Sequence, residues 1–467
     1  MPSINLSNIW ILILAGLISG FAFAPFNQPI ALFFSLYTLL SNLEMQSTFK
    51  KFIRNTAIFC FFFYLSQLYW VCWAVNVFGM PQAMPFVLVG MPLLIGAFPA
   101  ICLLPSYYYR HNKVQFAWAA GLGWYTSEIA RSFLFTGFPW NLSGYIWDLQ
   151  LLQSTRFFGI FGLSALTIAS CIVCFTKQKK ITAAIFCCMA GLWVDGYIRL
   201  KSPKINTDIT IRLVQPSIDQ KQKWLPSFFE KNLERLEYLT TAKGEKEIDI
   251  TIWPEAAVTV PLDKYLDLSQ HLGGMISKGY LITGAPRIDY DKKQVFSSLH
   301  VIDHSGIIHA TFDKFHLVPF GEYVPLRKFN PFPKLTDGTM DYSPGIGPRT
   351  IEFPNMPSFS PLICYEAIFS GCVIDSKNRP QWLLNITNDA WYGNTSGPHQ
   401  HLKIVQVRAI EEGLPVVRVA NNGISAVVDA YGRTIHQLEL DKIGFIDANL
   451  PVFLPVTFYR QLVNMLF

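Results

Sequence analysis

The stretch Leu362-Ile363-Cys364-Tyr365-Glu366 carries a cysteine from an apolar, strand-like run into a polar turn, downstream of Trp253-Pro254-Glu255 and Asp313-Lys314-Phe315-His316. A glutamate, a lysine and a cysteine, each at the end of an expected strand, suggest a nucleophilic thiol with its own base and its own cation. A free thiol has a pKa near about 8.5, so it attacks well at neutral pH only where a neighbour favours the thiolate. Glu255 follows the apolar run Ile248 to Trp253, and Pro254 stops the strand where the carboxylate emerges. Partly desolvated by Trp253, that carboxyl would have a raised pKa and could take the thiol proton. Lys314 beside a thioester-forming cysteine would stabilise the oxyanion of a tetrahedral intermediate. Taken singly, each has a plainer alternative: Cys364 as the buried end of a core strand, Glu255 as a surface acid, Lys314 as a solvated partner of Asp313. His316 invites a Cys-His dyad, but a structural neighbour is the expectation.

The elements that must position these groups begin near Ile205. Strands are expected at 208–215, 247–253, 280–283, 295–303, 307–312, 359–364, 381–387, 415–420 and 424–430, with helices at 228–242, 263–277 and about 400–412. Such alternation favours an α/β domain of buried sheets covered by helices. The stretch 329–348, rich in proline and glycine, cannot be regular structure and is a candidate lid between the lysine and the cysteine.

The first 200 residues are of another kind. The chain has 467 residues, of which 51% are hydrophobic and only 15% charged, too apolar for an ordinary soluble protein. Of its 32 acidic residues only Glu44, Glu128, Asp148 and Asp195 precede Lys201. Seven segments, near 9–26, 28–43, 56–74, 84–106, 115–135, 157–176 and 181–199, approach the about 20 apolar residues that cross a hydrocarbon core. Lys50, Lys51 and Arg54, then Arg110 and Lys113, then Lys177, Lys179 and Lys180 mark alternate loops. Cations are retained in the cytoplasm, so seven crossings put the polar domain outside. The N-terminal run has no preceding Lys or Arg and reads as a retained span. Three regions are therefore expected: a transmembrane helical domain at 1–200, a polar domain at 205–449 and a membrane-associated segment at 450–467.

The net charge of +6 sits mostly in those loops, which suits anionic lipid and gives no nucleic-acid stripe. Seven of the nine cysteines lie in the apolar spans, leaving Cys364 and Cys372 with no strong reason to pair. No zinc-ligand spacing is evident, so neither metal nor cofactor is expected. Glu128 and Arg131 lie three apart on one helix face and are either a functional pair or an interface anchor.

The ordered triple Glu255, Lys314, Cys364 resembles the catalytic triad of the nitrilase (carbon-nitrogen hydrolase) superfamily, which implies an αββα sandwich. Combined with seven spans, the resemblance narrows to the bacterial apolipoprotein N-acyltransferase family. It extends over almost the whole chain, through Phe21-Ala22-Phe23-Ala24-Pro25-Phe26, Thr136-Gly137-Phe138-Pro139-Trp140, Gly321-Glu322-Tyr323-Val324-Pro325, Asn388-Asp389-Ala390-Trp391-Tyr392-Gly393 and Arg418 to Ser425. Gln215-Pro216-Ser217 departs from the family's usual Gln-Gly-Asn, and the closing transmembrane helix is shortened.

The resemblance implies a ping-pong acyl transfer. Glu255 would deprotonate Cys364, the thiolate would attack a phospholipid ester, and Lys314 would hold the oxyanion. The acceptor would be the α-amino group of the S-diacylglyceryl cysteine at the N-terminus of an apolipoprotein. Glu322, Tyr365, Glu366 and Trp224 resemble supporting, substrate-side residues. The implied location is the bacterial inner membrane, with the catalytic domain on the periplasmic side and the protein a monomer. The alternative within enzymes is a membrane-tethered amidase that hydrolyses its substrate. From another class, a transporter would need several paired charges in its spans, and only Glu128, Arg131 and Asp195 are there.

Overall fold

The structure is a computed structural model that describes residues 8–77, 79–244, 246–325 and 341–466. Most of the candidate lid therefore lies outside the described residues. The chain divides into two compact units. One comprises Met1–Asn76, Met80–Ser202 and Thr395–Lys403; the other comprises Val77–Gly79, Pro203–Asn394 and Ile404–Phe467.

The first unit is helical. Its main helices are Ile9–Ile18, Pro29–Glu44, Phe49–Leu68, Met84–Cys102, Lys113–Phe133, Thr155–Thr176 and Lys179–Arg199, so each expected span overlies a helix. With their terminal turns, four segments are long and apolar enough to cross a membrane: Phe49–Val77, Pro81–Tyr109, Thr155–Thr176 and Lys179–Arg199. The polar breaks that punctuate the sequence also start the helices. The Thr48 side chain accepts from the Lys51 N–H at 3.4 Å, and Asn112 accepts from the Val114 and Gln115 N–H groups at 3.1 and 3.2 Å. Each cap satisfies donors that a helix start leaves orphaned.

The second unit is built on two sheets. The strands are β1 (Asn206–Gln215), β2 (Ile250–Ile252), β3 (Tyr280–Asp289), β4 (Gln294–Asp303), β5 (Ile308–Asp313), β6 (Phe359–Ile363), β7 (Trp382–Thr387), β8 (Val416–Ala420), β9 (Ser425–Val428), β10 (Thr434–Leu438) and β11 (Gly444–Pro451). They form a six-stranded sheet, β11-β1-β2-β3-β4-β5, and a five-stranded one, β10-β9-β8-β7-β6. β1-β2-β3 of the first sheet and β6-β7-β8 of the second run parallel, and the remaining strands pair antiparallel.

Parallel strands buried on both faces need apolar runs, and the sequence supplies them. Ile211, Leu213, Ile250, Ile252, Ile282 and Val301 of one sheet share a core with Phe359, Ile363, Leu384, Ile386, Val417 and Val419 of the other. On the outer face of the first sheet, Val214, Trp253, Leu281 and Ile302 pack against Leu236, Leu239 and Leu272, which come from the helices Phe229–Thr241 and Leu266–Gly274. Within the same unit, the part of the helix Ser396–Glu412 from Ile404 onward meets the second sheet, where the Gln406 amide donates to the Thr434 hydroxyl of β10 at 3.2 Å. The result is the layered α/β sandwich expected from the sequence, with β10 and β11 added to the expected strands. The C-terminal helix Phe458–Leu466 is tied down by a buried ion pair between Arg460 and Glu412.

Candidate active site

The parallel strands β2 and β6, together with the antiparallel β5, deliver their C-terminal ends, and the turns beyond them, to one site. Beyond β2, Trp253 is buried in the outer core with its indole N–H on the Thr240 hydroxyl at 2.8 Å. Its main chain is fixed by the Ile282 carbonyl at 2.8 Å. Glu255 follows, and Ala256 takes a left-handed φ of 46°. The turn presses against β3 at Gly284, where a Cβ would come within 2.5 Å of the Ala256 nitrogen and 2.8 Å of Glu255 Cα. Only glycine allows that approach.

Lys314 comes directly after β5. Its N–H donates to the Ser297 carbonyl at 2.8 Å, and its own carbonyl accepts from Gly345 at 2.8 Å. Asp313, the alternative partner for its ammonium, pairs with Arg287 at 2.7 Å. Lys314 is 1% exposed, and its Nζ lies 2.9 Å from Glu322 Oε1 and 3.3 Å from Glu255 Oε1. Glu322 is held in turn by the Val318 N–H, which donates to Oε2 at 2.8 Å. The second oxygen of Glu255 accepts from the Asn388 N–H at 2.9 Å.

Cys364 stands where β6 ends, with φ at 54°. A non-glycine residue in the left-handed region costs about 1–2 kcal/mol and persists where the surroundings enforce it. Here they do. Asn385 Nδ2 donates to the Leu362 and Cys364 carbonyls at 3.0 and 3.4 Å. Buried Glu366 accepts from the Ile363 N–H at 2.7 Å and from the Phe315 and His316 N–H groups at 2.7 and 3.1 Å. One carboxylate thus binds the cysteine turn to the lysine loop. His316 stacks on Phe369 with ring centroids 3.6 Å apart and sits 5.7 Å from the Tyr365 ring.

The electrostatics follow from burial. Desolvation, then the Glu255 charge, push the Cys364 thiol up to about 12, with Lys314 pulling the other way. Burial raises Glu255 against the pull of Lys314, and Glu322 adds to the rise. Burial would lower Lys314, but the Glu322 and Glu255 carboxylates and Cys364 outweigh it and hold the ammonium well above the usual range. Glu366 is raised by burial to about 8, although three N–H donors and Lys314 oppose it. At rest the thiol therefore keeps its proton. A base must remove it as the sulfur attacks, and the neighbouring carboxylate with a raised pKa suits that task.

Of the residues named from sequence, Glu255, Lys314, Glu322 and Glu366 meet directly or through one turn, with Cys364 in their electrostatic field. Tyr365 is buried beside Cys364, whereas Trp224 is half-buried at the end of the turn Gln220–Lys223. Sequence reasoning missed Lys223 and named Asn388, Asp389, Arg418 and Asn421 only within family motifs, without a role; together they form a polar scaffold behind the site. Lys223 donates to the Glu255 carbonyl at 2.9 Å. Asn388 donates to Gln220 at 2.6 Å and accepts from Asn421 at 3.1 Å. Arg418 ties Asn385 to Asp389. Gln215 accepts from the Ser425 N–H and hydroxyl at 3.1 and 2.6 Å and donates to two carbonyls. It is thus engaged with the scaffold. Among the described residues no cluster of His, Cys, Asp and Glu could hold a metal ion.

Glu128 and Arg131 of the helical unit bind one loop. Arg131 donates to the Phe138 and Trp140 carbonyls at 2.7 Å and to that of Asn141 at 3.2 Å. Glu128 accepts from the Ser143 N–H at 3.0 Å and its hydroxyl at 2.5 Å.

A sequence model of the carbon-nitrogen hydrolase family matches residues 210–452, and one of the apolipoprotein N-acyltransferase N-terminal domain matches residues 15–173. The apolipoprotein N-acyltransferase of Rickettsia bellii is 38% identical over 458 residues, 94% of this chain and 90% of its own. That of Rickettsia prowazekii is 36% identical, covering 94% and 91%. That of Rhodopseudomonas palustris is 34% identical, covering 97% and 91%. Among solved structures, an amidase from Nesterenkonia sp. is 19% identical and covers 56% of this chain and 95% of its own at a TM-score of 0.39. The apolar helices and these relatives make it a membrane protein, and the chain belongs to the apolipoprotein N-acyltransferase family.

Proposed function

We propose that the chain is a phospholipid:apolipoprotein N-acyltransferase that works through a thioester on Cys364, with Glu255 as base and Lys314 as oxyanion donor. The observation that carries the reading is the buried ammonium of Lys314 between two carboxylates, Glu255 at 3.3 Å and Glu322 at 2.9 Å, in the electrostatic field of a cysteine.

The cycle balances on these residues. As Cys364 Sγ attacks the sn-1 ester carbonyl of a phospholipid, its proton passes to Glu255, and the charge on the carbonyl oxygen meets Lys314. Collapse breaks the ester bond. Glu255 returns the proton to the departing alkoxide, a lysophospholipid leaves, and the acyl group remains on sulfur. The α-amino group of an S-diacylglyceryl cysteine then attacks the thioester and gives its proton to Glu255. The thiol is restored as the amide departs. Glu322 holds Lys314 in place, and Glu366 fixes the turns that carry Cys364 and Lys314.

Both substrates carry acyl chains, so a bilayer concentrates them for one thiol. The distribution of Lys and Arg between alternate loops supports an inner-membrane protein with this domain on the periplasmic side, and we take the acting protein to be a monomer. The test is a membrane assay with phospholipid labelled in its acyl chain. Label on the amine of a diacylglyceryl lipopeptide is expected, with an acyl adduct on the Cys364 peptide. Label recovered only as free fatty acid would replace transfer by hydrolysis, and an adduct on Cys372 would overturn the site.

A further inference from the structure

Lys223 belongs to none of the catalytic roles above, yet it is 3% exposed and its ammonium lies 2.9 Å from the main-chain carbonyl of Glu255. A buried cation is costly unless paired. The charge acting on it is the Glu255 carboxylate. Asp219 and Lys221 of its own turn are exposed. Asn232 of the helix Phe229–Thr241, which lines the same small cavity beside Ile218, Leu233 and Val258, carries no charge. Beyond Glu255 lie Lys314 and Glu322 of the same cluster. With Lys223 charged, two carboxylates face two ammonium groups. With it neutral, the cluster carries one excess negative charge.

We propose that Lys223 is a positioning residue for the acylation step: it clamps the main chain of Glu255 and keeps the Glu255 carboxyl in the ionised, proton-accepting form. The inference rests on the reading of Glu255 as the base. The clamp acts where the chain is strained, since Ala256 directly follows in a left-handed conformation. The electrostatic part follows from the surroundings of Glu255, where burial and Glu322 favour the protonated acid, while Lys314, Lys223 and the Asn388 N–H oppose them. Removing a neighbouring positive charge raises a carboxyl pKa. Burial also lowers Lys223 itself to about 8, so the cation is present at neutral pH.

Two variants separate the clamp from the charge. Lys223→Gln keeps an N–H donor and removes the charge, whereas Lys223→Arg keeps both. The measurement is the rate of Cys364 acylation by phospholipid vesicles, followed by intact-protein mass from about pH 5 to about pH 9. In Lys223→Gln the acid limb of the profile is expected to move up by about one pH unit, which lowers the rate on that limb about tenfold. In Lys223→Arg the limb should stay with the wild type whatever the plateau rate. A Gln variant whose limb coincides with the wild type overturns the proposal.

A second readout does not depend on the lipid substrate: iodoacetamide alkylation of the Cys364 peptide in the detergent-solubilised protein should show the same upward displacement in Lys223→Gln. If the wild type is alkylated in this pattern but not acylated by phospholipid, the assigned donor fails and the role of Lys223 stands. If neither limb moves in Lys223→Gln, Lys223 is only a structural contact.

Discussion

Each unit buries a small set of ionisable side chains, and the two sets end in opposite ways. In the helical unit, Arg131 spends its guanidinium on the carbonyls of Phe138, Trp140 and Asn141, while Glu128 accepts from Ser143. The partners that hold them are mostly main chain and hydroxyl, groups that do not titrate, with the Arg131 guanidinium also 5.7 Å from the centre of the Tyr64 ring. In the sheet unit, Lys314 is shared between Glu255 and Glu322, with Cys364 in the same field. There the partners are themselves acids and bases, so moving one proton changes the affinity of every other group for its own. Burial of charge alone therefore does not mark chemistry. What marks it is burial among groups that can trade protons, while charge spent on a loop is architecture.

That contrast is broken or sharpened most strongly at the sulfur. Cys364→Ala should abolish the acyl adduct and all transfer while leaving thermal unfolding close to wild type, since a small residue replaces a small one. A variant that still transfers acyl chains to lipopeptide would remove the sheet-unit cluster from the reaction. Next comes Lys314→Met, which takes away the oxyanion donor and leaves two carboxylates facing each other. Loss of one such donor costs about 10²–10³ in rate. Acylation measured in a single turnover should fall by at least that factor, with any residual rate confined to lower pH, where one carboxylate is protonated.

Arg131→Met should behave in the reverse way. It leaves three carbonyls without their buried donor, a loss of about 3 kcal/mol by the usual cost of unsatisfied groups. A lower unfolding temperature in detergent is expected, with the acylation rate per folded molecule within about threefold of wild type. If stability held and acylation vanished, Arg131 would belong with the chemistry.

The sequence exposed the groups that react better than the scaffold that holds them. Glu255, Lys314 and Cys364 each sit just past an apolar run, and strands bounded by turn residues are easily read. The same runs gave β2, β6, β7, β8 and β9, whose residues are buried throughout and leave an unbroken apolar signature, and β1, β3 and β4, which are buried along most of their length. β10 and β11 lack it. Thr434–Leu438 is partly exposed along its length, and Gly444–Pro451 carries Asp447 and Asn449 in the manner of a loop. Asp447 is tolerated in a strand because Arg212 of β1 meets it at 2.7 Å, a long-range pairing that no local pattern displays. Lys223 was hidden for the same reason. Gln220-Lys221-Gln222-Lys223 has the composition of a solvated turn, and only the fold turns two of those side chains inward. Trp224, conspicuous in the sequence, is the one left partly exposed.

His300 supplies a third fate for a buried ionisable group, and the smallest expected effect. It lies on β4 with no exposed surface. Its Nδ1 is 3.0 Å from the Thr311 hydroxyl, and its Nε2 has no hydrogen-bond partner among the described residues. Burial lowers its pKa to about 4, against the opposing pull of Asp263 and Asp313, with Arg287 adding to the fall. An unfolded histidine titrates near about 6.5. The folded state thus binds fewer protons between the two values, and stability must rise with pH across that window. The contribution is complete above about pH 6.5 and is lost as pH falls towards about 4, a difference of about 3 kcal/mol at most. His300→Asn keeps a side chain that can reach Thr311 and has no such proton to exclude. It should unfold below the wild type at neutral pH, and the gap between their unfolding temperatures should narrow steadily from about pH 7 to about pH 4.5. Parallel curves over that range would mean that His300 accepts its proton inside the fold and belongs with the charged groups instead.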